Sequence, residues 1–231
     1  MLVLALDTTT RAGSTAVVRD GVIVLEHTGD PAITHGQRLP RDLMRLLDEA
    51  GVHLADVDIF AVAAGPGSFT GLRVGIATVQ GLAVAAGRRV VPVPTLEALA
   101  RAGRTGVDRV APWMDAQRGE IFAAIYAADG ASVEIEASSD TPERTLDQWS
   151  QRVAVEPLRF VGDGALRYRE IVERMAPAAI IVDPVPPLAG LIGIIASQSP
   201  QRAVLPHAVV PIYIRRSDAE LARARRNAET R

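Results

Sequence analysis

Cysteine and lysine are both absent from this 231-residue chain, and its aromatic fraction is only 4%. Without cysteine there is no thiol nucleophile, thiolate zinc site or disulfide, so the fold must rest on its packed core. Without lysine, a P-loop lysine, a Schiff-base lysine and the strand lysine of protein kinases are excluded. All 25 basic residues are therefore arginines.

The overall charge is close to balanced, with 25 basic against 27 acidic residues and a formal net charge of −2. Such a chain has no global positive field, which argues against nucleic-acid binding by the chain alone. Its longest apolar stretch, Val74 to Ala86, is shorter than the roughly 20 residues that span a bilayer, and we expect no signal peptide before its first strand. We expect a cytoplasmic protein that does not bind membranes.

The first hundred residues predict an α/β unit that opens with antiparallel strands. Asp20-Gly21 separates two β-rich runs and suits a tight hairpin turn, while Gly51 and Gly87 follow apolar residues at helical spacing and are typical helix stops. Strands and helices then alternate, which is typical of a sheet with helices on its faces. The predicted strands are 2–6, 14–19, 22–27, 59–64 and 90–93, and the predicted helices are 39–50, 70–86 and 95–102.

A charged segment with two glycines, residues 101–108, is the best candidate for a domain boundary. We expect an N-terminal domain at 1–103, a reduced C-terminal α/β domain at 104–216 and a charged, flexible tail at 217–231. Signals in the second half are weaker. They predict strands at 110–114, 121–127, 133–135, 159–161 and 209–214, and helices at 145–151, 165–175 and 188–197.

Two motifs that follow predicted strands carry groups suited to an anion. In Asp7-Thr8-Thr9-Thr10, hydroxyls and backbone N–H groups can hold a phosphate while the carboxylate organises a metal or water. In the glycine motif Gly65–Gly75, glycines allow close backbone approach and Ser68 or Thr70 can cap the next helix, but the Gly-Lys-Ser/Thr element of a P-loop is missing. For each motif taken alone, a turn that satisfies its own backbone is the favoured interpretation.

The helix after the glycine motif is apolar around most of its circumference, with only Thr78 and Gln80 polar between Val74 and Ala86. It is either a central helix of its own domain or a docking surface for a partner helix. The residues concerned are a small-residue stripe of Ala77, Gly81 and Ala85 and a larger ridge of Leu72, Ile76 and Val79 or Leu82.

Metal and nucleophile motifs are missing from the sequence. The four histidines, at positions 27, 35, 53 and 207, are too far apart to form a helical metal pair, and neither His-Glu-x-x-His nor Gly-x-Ser-x-Gly occurs. We therefore predict no catalytic residue and no metal site in this chain.

Several separated motifs, in order, resemble the TsaB (YeaZ) family of the bacterial tRNA threonylcarbamoyladenosine machinery. They are Asp7–Thr10, Gly65–Gly75, Met114–Glu120, Val161–Ala165, 187–196 and 211–215. The resemblance implies an α/β fold of the actin-like ATPase (ASKHA) superfold, with two ribonuclease H-like halves of which the second is reduced. It also implies a non-catalytic paralogue of TsaD, required with TsaD for N6-threonylcarbamoyl transfer to adenosine 37 of tRNAs that read A-starting codons.

The same resemblance implies partners and sites. The His-x-x-x-His metal pair of TsaD aligns with Thr95 and Leu99, neither of which replaces an imidazole ligand. Metal and ATP are therefore expected in partner subunits, and this chain is expected to require no cofactor and to bind nucleotide weakly at most. Its first two helices should pair with those of TsaD as a four-helix bundle, with a homodimer when TsaD is absent, TsaE in a larger complex, and tRNA contacted only through the complex.

Two residue sets follow from these expectations. The predicted partner interface is Leu39, Leu43, Leu46, Leu47, Leu72, Ile76, Val79 and Ala83, with Leu39 and Leu43 expected to face the partner and Leu47 the core. The predicted vestigial nucleotide- or anion-binding site is Asp7, Thr8, Thr9, Gly65, Gly67 and Ser68.

The alternative function is an active small-molecule kinase or nucleotide hydrolase of the same superfold, which would use Asp7 and the loop at 65–68. Against it, Gly190 and Gly193 lie in an apolar run and do not form an adenosine loop. The densest basic cluster is at the C-terminus, where we expect a solvated tail whose acidic partners are Asp218 and Glu220. Its arginines are Arg215, Arg216, Arg223, Arg225 and Arg226.

Overall fold

Two five-stranded sheets with the same strand arrangement make up the frame of this computed structural model, which describes residues 1–153 and 157–215. The strands are β1 (Leu2–Asp7), β2 (Ser14–Arg19), β3 (Val22–Thr28), β4 (Ile59–Gly65), β5 (Arg89–Pro94), β6 (Arg109–Asp115), β7 (Ile121–Tyr126), β8 (Val133–Asp140), β9 (Leu158–Val161) and β10 (Ile180–Ile181). The helices are α1 (His35–Ala50), α2 (Phe69–Ala86), α3 (Thr95–Gly103), α4 (Pro142–Val153), α5 (Asp163–Arg167), α6 (Arg169–Met175) and α7 (Ala189–Gln198).

The strand order shows that the second sheet repeats the first. The first sheet runs β3-β2-β1-β4-β5 and the second runs β8-β7-β6-β9-β10. In each sheet the first strand pairs antiparallel with the second and parallel with the fourth. The second unit is reduced, because two helices of five and seven residues follow β9 where the 18-residue α2 follows β4. This agrees with the predicted pair of ribonuclease H-like halves.

Local signals explain most of the first half. Asp20 and Gly21 both have positive φ, at 51° and 79°, and close the β2–β3 hairpin as predicted. Both α1 and α2 end at a glycine in the left-handed conformation, Gly51 and Gly87. Thr34 begins α1 through a capping box with Gln37.

The core lies in three layers between and outside the sheets. On β1, Leu4 and Leu6 face α1 and α2, whereas Val3 and Ala5 face a central layer that holds α3 and α7. A third cluster around Trp113 lies between the second sheet and the helices α4 to α6. The alternation along β1 therefore serves two cores, which explains why the strand is apolar at every position from 2 to 6.

The last helix of each half packs against the sheet of the other half. Helix α3, which follows β5, packs mainly on β6 and β9, while α7, which follows β10, packs on β1, β2 and β4. Ser14 Oγ accepts hydrogen bonds from Leu188 N and Ala189 N at 3.2 and 2.9 Å, and Glu26 Oε1 accepts one from Gly190 N at 2.8 Å. The predicted division at residues 103 and 104 stays a prediction, and the helices cross it in both directions.

Two apolar segments are compared with their predictions. Among the described residues, α2 is one helix that is long and apolar enough to cross a membrane by length and composition alone, a test that core helices also pass, and a third of it is buried. The predicted strand at 209–214 is wrong: residues 206–208 form one 3₁₀ turn and the chain then continues without regular structure.

We call residues 206–215 the C-terminal strap. Gln80 Nε2, in the middle of α2, donates to Pro206 O and Val209 O at 2.9 and 3.1 Å. Tyr213 then reaches Arg73 and Phe69 at the N-terminal end of α2. The strap therefore runs along α2 in the opposite direction. The remainder of the predicted basic tail, from position 216 onward, lies outside the described residues.

Candidate functional site

A cleft of about 1030 Å³ lies where four strands of the two sheets end. Its walls are the segments that follow β1, β4, β6 and β9, together with the strap. The carboxyl ends of strands in an α/β sheet are where ligands ordinarily bind. The lining residues are Thr9–Arg11, 66–70, Asp115–Arg118, Phe122, Asp163, Arg167 and Ile212–Arg215.

Asp7 is buried and is hydrogen-bonded within the turn that follows it. Its Oδ1 accepts hydrogen bonds from Thr9 N at 2.9 Å and Thr9 Oγ1 at 2.6 Å. Burial raises the pKa of Asp7 in spite of these hydrogen bonds, which act in the opposite direction. Neither Asp7 nor Thr8 lines the cleft. Asp7 Oδ1 therefore organises the turn that follows β1.

The glycines of the motif make room for threonines of the β1–β2 turn. A Cβ atom on Gly67 would lie 2.5 Å from Thr9 Cβ, and one on Gly75 would lie 2.1 Å from Thr8 Oγ1. Ser68 N donates to Thr9 O at 2.9 Å, and Ser68 Oγ accepts a hydrogen bond from Gly71 N at 3.2 Å, so Ser68 caps α2 as predicted. The close approach is between two segments of this chain.

The structure brings the six predicted vestigial residues together but leaves only half of them at the cleft. Thr9, Gly67 and Ser68 line it. Gly65 faces the strap, since its Cβ would lie 2.5 Å from Ile212 O. The turn has the composition of a phosphate loop, and Thr8 and Thr9 pack closely against Gly75 and Gly67 of the glycine motif.

Sequence reasoning did not single out the acidic side chains of the second half. Asp115 accepts a hydrogen bond from Arg167 Nη1 at 2.8 Å and others from Gln117. Asp163 accepts hydrogen bonds from Asp115 N at 3.1 Å and Gly164 N at 2.9 Å, and burial raises its pKa. Their position in the sequence could have indicated them, because both carboxylates lie at or just after the end of a buried strand, as Asp7 does. Across the described ranges, no group of three or more His, Asp or Glu side chains is placed to hold a metal ion.

The strap joins the two halves across the cleft. Ile212 N donates to Ala64 O at 2.7 Å in the first half, while Arg215 donates to Glu120 Oε2 at 2.8 Å and to Ala116 O at 2.9 Å in the second. Between them, Tyr213 stacks on Phe69 with ring centroids 5.3 Å apart. The sequence prediction of a strand here missed a segment whose hydrogen bonds go to both halves.

The predicted interface residues belong to the core. All eight are between 0 and 7% exposed, and the four leucines of α1 pack against the first sheet. Side chains with so little exposed surface cannot contact a partner, so their assignment to an interface is corrected. The predicted distinction, with Leu39 and Leu43 facing the partner and Leu47 facing the core, is corrected as well, because all three face the core. Hydrophobic periodicity finds the face a helix buries, and here its own sheet covers that face.

The outward face of α2 carries the small residues instead. Ala77, Gly81 and Ala85 are exposed, and Val84 beside them is 68% exposed. A Cβ on Gly81 would have no atom within 4 Å. On the adjacent helix α1, Met44 is also exposed.

Known proteins resemble this chain in both sequence and structure. A family model described as TsaD, tRNA N6-adenosine threonylcarbamoyltransferase, matches residues 30–222. YeaZ from Pseudomonas aeruginosa superimposes with a TM-score of 0.74 at 34% identity, over 92% of this chain and 99% of that one. The chain belongs to the TsaB (YeaZ) family.

Other members of the TsaB family agree with this assignment. The TsaB protein of Bacillus subtilis (strain 168) is 26% identical over 95% of this chain and 96% of its own length. The TsaB protein of Escherichia coli (strain K12) is 37% identical, but that alignment spans only 56% of each chain, about half of the relative's length. The ethanolamine utilization protein EutJ from Carboxydothermus hydrogenoformans, at 15% identity and a TM-score of 0.53, shares only the fold. The fold is that of the ASKHA superfold, as predicted.

Proposed function

We propose that this chain is the non-catalytic scaffold subunit that acts with TsaD in N6-threonylcarbamoyl transfer to adenosine 37 of tRNAs that read A-starting codons. The proposal takes its reaction from the TsaB and TsaD names of its relatives. The observation that carries the scaffold role is the exposed apolar face of α2, beside a cleft whose acidic groups are bound internally. Working on tRNA places the chain in the cytoplasm.

The outward face of α2 suits a helix of another subunit. At Ala77, Gly81 and Ala85 nothing extends beyond a Cβ atom, so two helices can approach to about 8 Å, the close limit of helix packing. The stripe from Ala77 to Ala85 covers about 12 Å of a helix that is about 27 Å long. We infer that α1 and α2 pair with their counterparts in TsaD as a four-helix bundle, and that a second copy occupies the same face when TsaD is absent. TsaE joins this pair in a larger complex.

The chemistry is assigned to the partner subunits. Thr95 at the start of α3 and Leu99 in its middle align with the TsaD metal pair; both are buried and offer no imidazole. Asp7 Oδ1 accepts hydrogen bonds from its own turn, and Asp115 accepts them from Gln117 and Arg167. In this proposal ATP and metal bind in the partner subunits, tRNA is bound through the complex, and nucleotide binds this chain weakly, at Thr9, Gly67 and Ser68.

A matched pair of valines on α2 tests the docking face. Val84 is 68% exposed and Val79 is 3% exposed, only five residues away. Val84→Arg should leave the fold within about 0.5 kcal/mol of the parent, as surface substitutions do, but abolish the complex, because the charge would be desolvated at its centre. Val79→Ala should lower stability by about 1–3 kcal/mol and leave the complex intact.

Light scattering of each variant mixed with purified TsaD measures complex mass, and circular-dichroism melts measure folding. A folded Val84→Arg protein that still binds TsaD would remove this face from the interface. The kinase or hydrolase alternative is tested separately by steady-state ATP turnover of the isolated chain. We expect none, and turnover at about 1–100 s⁻¹, the range of kinases, would contradict the scaffold role.

A further inference from the structure

The cleft carries a positive charge that the whole chain lacks. Its lining holds four arginines against the two carboxylates Asp115 and Asp163, whereas the chain has a formal net charge of −2. Arg167 is paired with Asp115, and Arg215 with Glu120 just outside the lining. Arg11 is exposed, and among the described residues it forms no ion pair. The cleft is therefore a local site for an anion on a chain that has no overall positive charge.

Aromatic surface lies at the rim of the same cleft. Phe69 and Tyr213 are 40% and 41% exposed, more than any other aromatic side chain of the described residues, although aromatics make up only 4% of the chain. They stack at 5.3 Å, and the Arg73 guanidinium lies 4.1 Å from the centre of the Phe69 ring. Stacked rings beside arginines bind nucleobases without strong preference for sequence.

We propose that the cleft binds a single-stranded segment of RNA, with a base stacked on Tyr213 and Phe69 and a phosphate beside Arg11. The N-terminus of α2 faces the same space at Ser68 and Thr70 and adds its positive end to the site. The volume of about 1030 Å³ is at the upper limit of pockets for single small molecules, about 300–1,000 Å³, and leaves room for more than one nucleotide. The RNA rests on the proposed function, in which the complex handles tRNA.

The test measures RNA binding by the complex of this chain with TsaD, using fluorescence anisotropy of a labelled tRNA at several salt concentrations. Arg11→Glu reverses a charge in the cleft, and Arg88→Glu, at another exposed arginine, is its matched control. Tyr213→Ala removes the stacking surface, and Tyr213→Phe keeps it while losing the hydroxyl that accepts a hydrogen bond from Arg73. Light scattering and melting curves confirm that every complex is assembled and folded.

We expect Arg11→Glu and Tyr213→Ala to weaken RNA binding by about fivefold or more, within the range for loss of one stacked base, and Arg11→Glu to flatten the salt dependence. Arg88→Glu and Tyr213→Phe should bind as the parent does. Equal losses for both charge reversals, or parental binding by Tyr213→Ala and Arg11→Glu, would overturn the site. So would ATP binding that is lost in Arg11→Glu while RNA binding is unchanged, because the cleft would then hold a free nucleotide.

Failure of the proposed function gives a different result. If no complex with TsaD forms, the scaffold role fails, and the same four variants are then compared for RNA binding by the chain alone under the same criteria. If the complex forms and the variants do not differ, the cleft proposal fails while the scaffold role stands.

Discussion

Gly75→Ala should destabilise the fold, because the added methyl group has no space. The new Cβ would lie 2.1 Å from Thr8 Oγ1 and 3.1 Å from Thr8 Cγ2. Thr8 is fully buried at the end of β1, so it cannot turn away into solvent. The helix or the turn must shift, and overpacking of this kind costs about 1–3 kcal/mol. For a chain of this size, each kcal/mol lowers Tm by about 2–4 °C.

A double-mutant cycle with Thr8→Ala separates this contact from a general effect on the helix. Thr8 Oγ1 is buried without a hydrogen-bond partner. Thr8→Ala alone should have a small effect, since it relieves a desolvation penalty of about 1–3 kcal/mol and gives up packing of about 1 kcal/mol. In the double variant the nearest remaining atom, Thr8 Cβ, is 3.2 Å from the new methyl group. We expect the pair to recover about 1 kcal/mol or more relative to additivity.

Urea denaturation followed by circular dichroism at 222 nm measures all four proteins. Gly81→Ala is the matched control, because it makes the same change on the same helix where no atom lies within 4 Å of the new Cβ. It should stabilise the fold by up to about 1 kcal/mol. Additive effects of Gly75→Ala and Thr8→Ala, or a Gly75→Ala protein as stable as Gly81→Ala, would refute the view that this glycine exists to admit Thr8.

Three further changes test other parts of the molecule. Burial raises the folded-state pKa of Asp7, so the parent protein loses stability as the pH rises from the unfolded-state pKa, about 3.9, through the raised folded-state pKa. Asp7→Asn should therefore be more stable than the parent at pH 7 in thermal melts. If this advantage persisted undiminished at pH 3, the prediction would be contradicted. Ser14→Ala should lower stability by about 1–2 kcal/mol, because Leu188 N and Ala189 N lose their acceptor; Ser197→Ala, which removes a bond within α7, should have less effect in the same urea titration. Deleting residues 217–231 should leave the complex with TsaD intact by light scattering and reduce tRNA affinity only at low salt; loss of the complex would show that the interface is misplaced.

The sequence predicted the elements whose ends are set by local chemistry. The hairpin at Asp20-Gly21 and the helix ends at Gly51 and Gly87 depend on backbone conformations that few residues adopt, so composition alone reveals them. The strap was predicted as a strand because valine, isoleucine and tyrosine are typical of sheets. In the fold, Val209 O bonds to the side chain of Gln80, and Ile212 N makes a single bond to Ala64 of β4 and forms no ladder with that strand. Such pairing depends on contacts more than a hundred residues apart, which no local pattern contains.

The two surfaces proposed to be functional, the outward face of α2 and the cleft, show a different limit of sequence prediction. Leu43 and Val84 are both apolar residues on helices, and periodicity cannot tell which one the chain's own sheet covers. The sequence predicts a stripe of small residues at 77, 81 and 85, but glycine and alanine contribute little hydrophobicity to a helical pattern. The sequence predicts only part of the cleft. Asp115 and Asp163 come together through the pairing of β6 with β9, which the local sequence does not reveal.

The exchange of helices between the halves has a consequence for synthesis. Val3, Ala5 and Val18 are covered by α7, whose residues 189–198 leave the ribosome long after the first sheet is complete. The N-terminal part of a chain is made first. That face of the sheet therefore stays uncovered while more than ninety further residues, beyond the predicted boundary at 103, are synthesised. A fragment of residues 1–103 would therefore expose an apolar sheet face and aggregate, and the first half reaches its native packing only when nearly the whole chain has been translated.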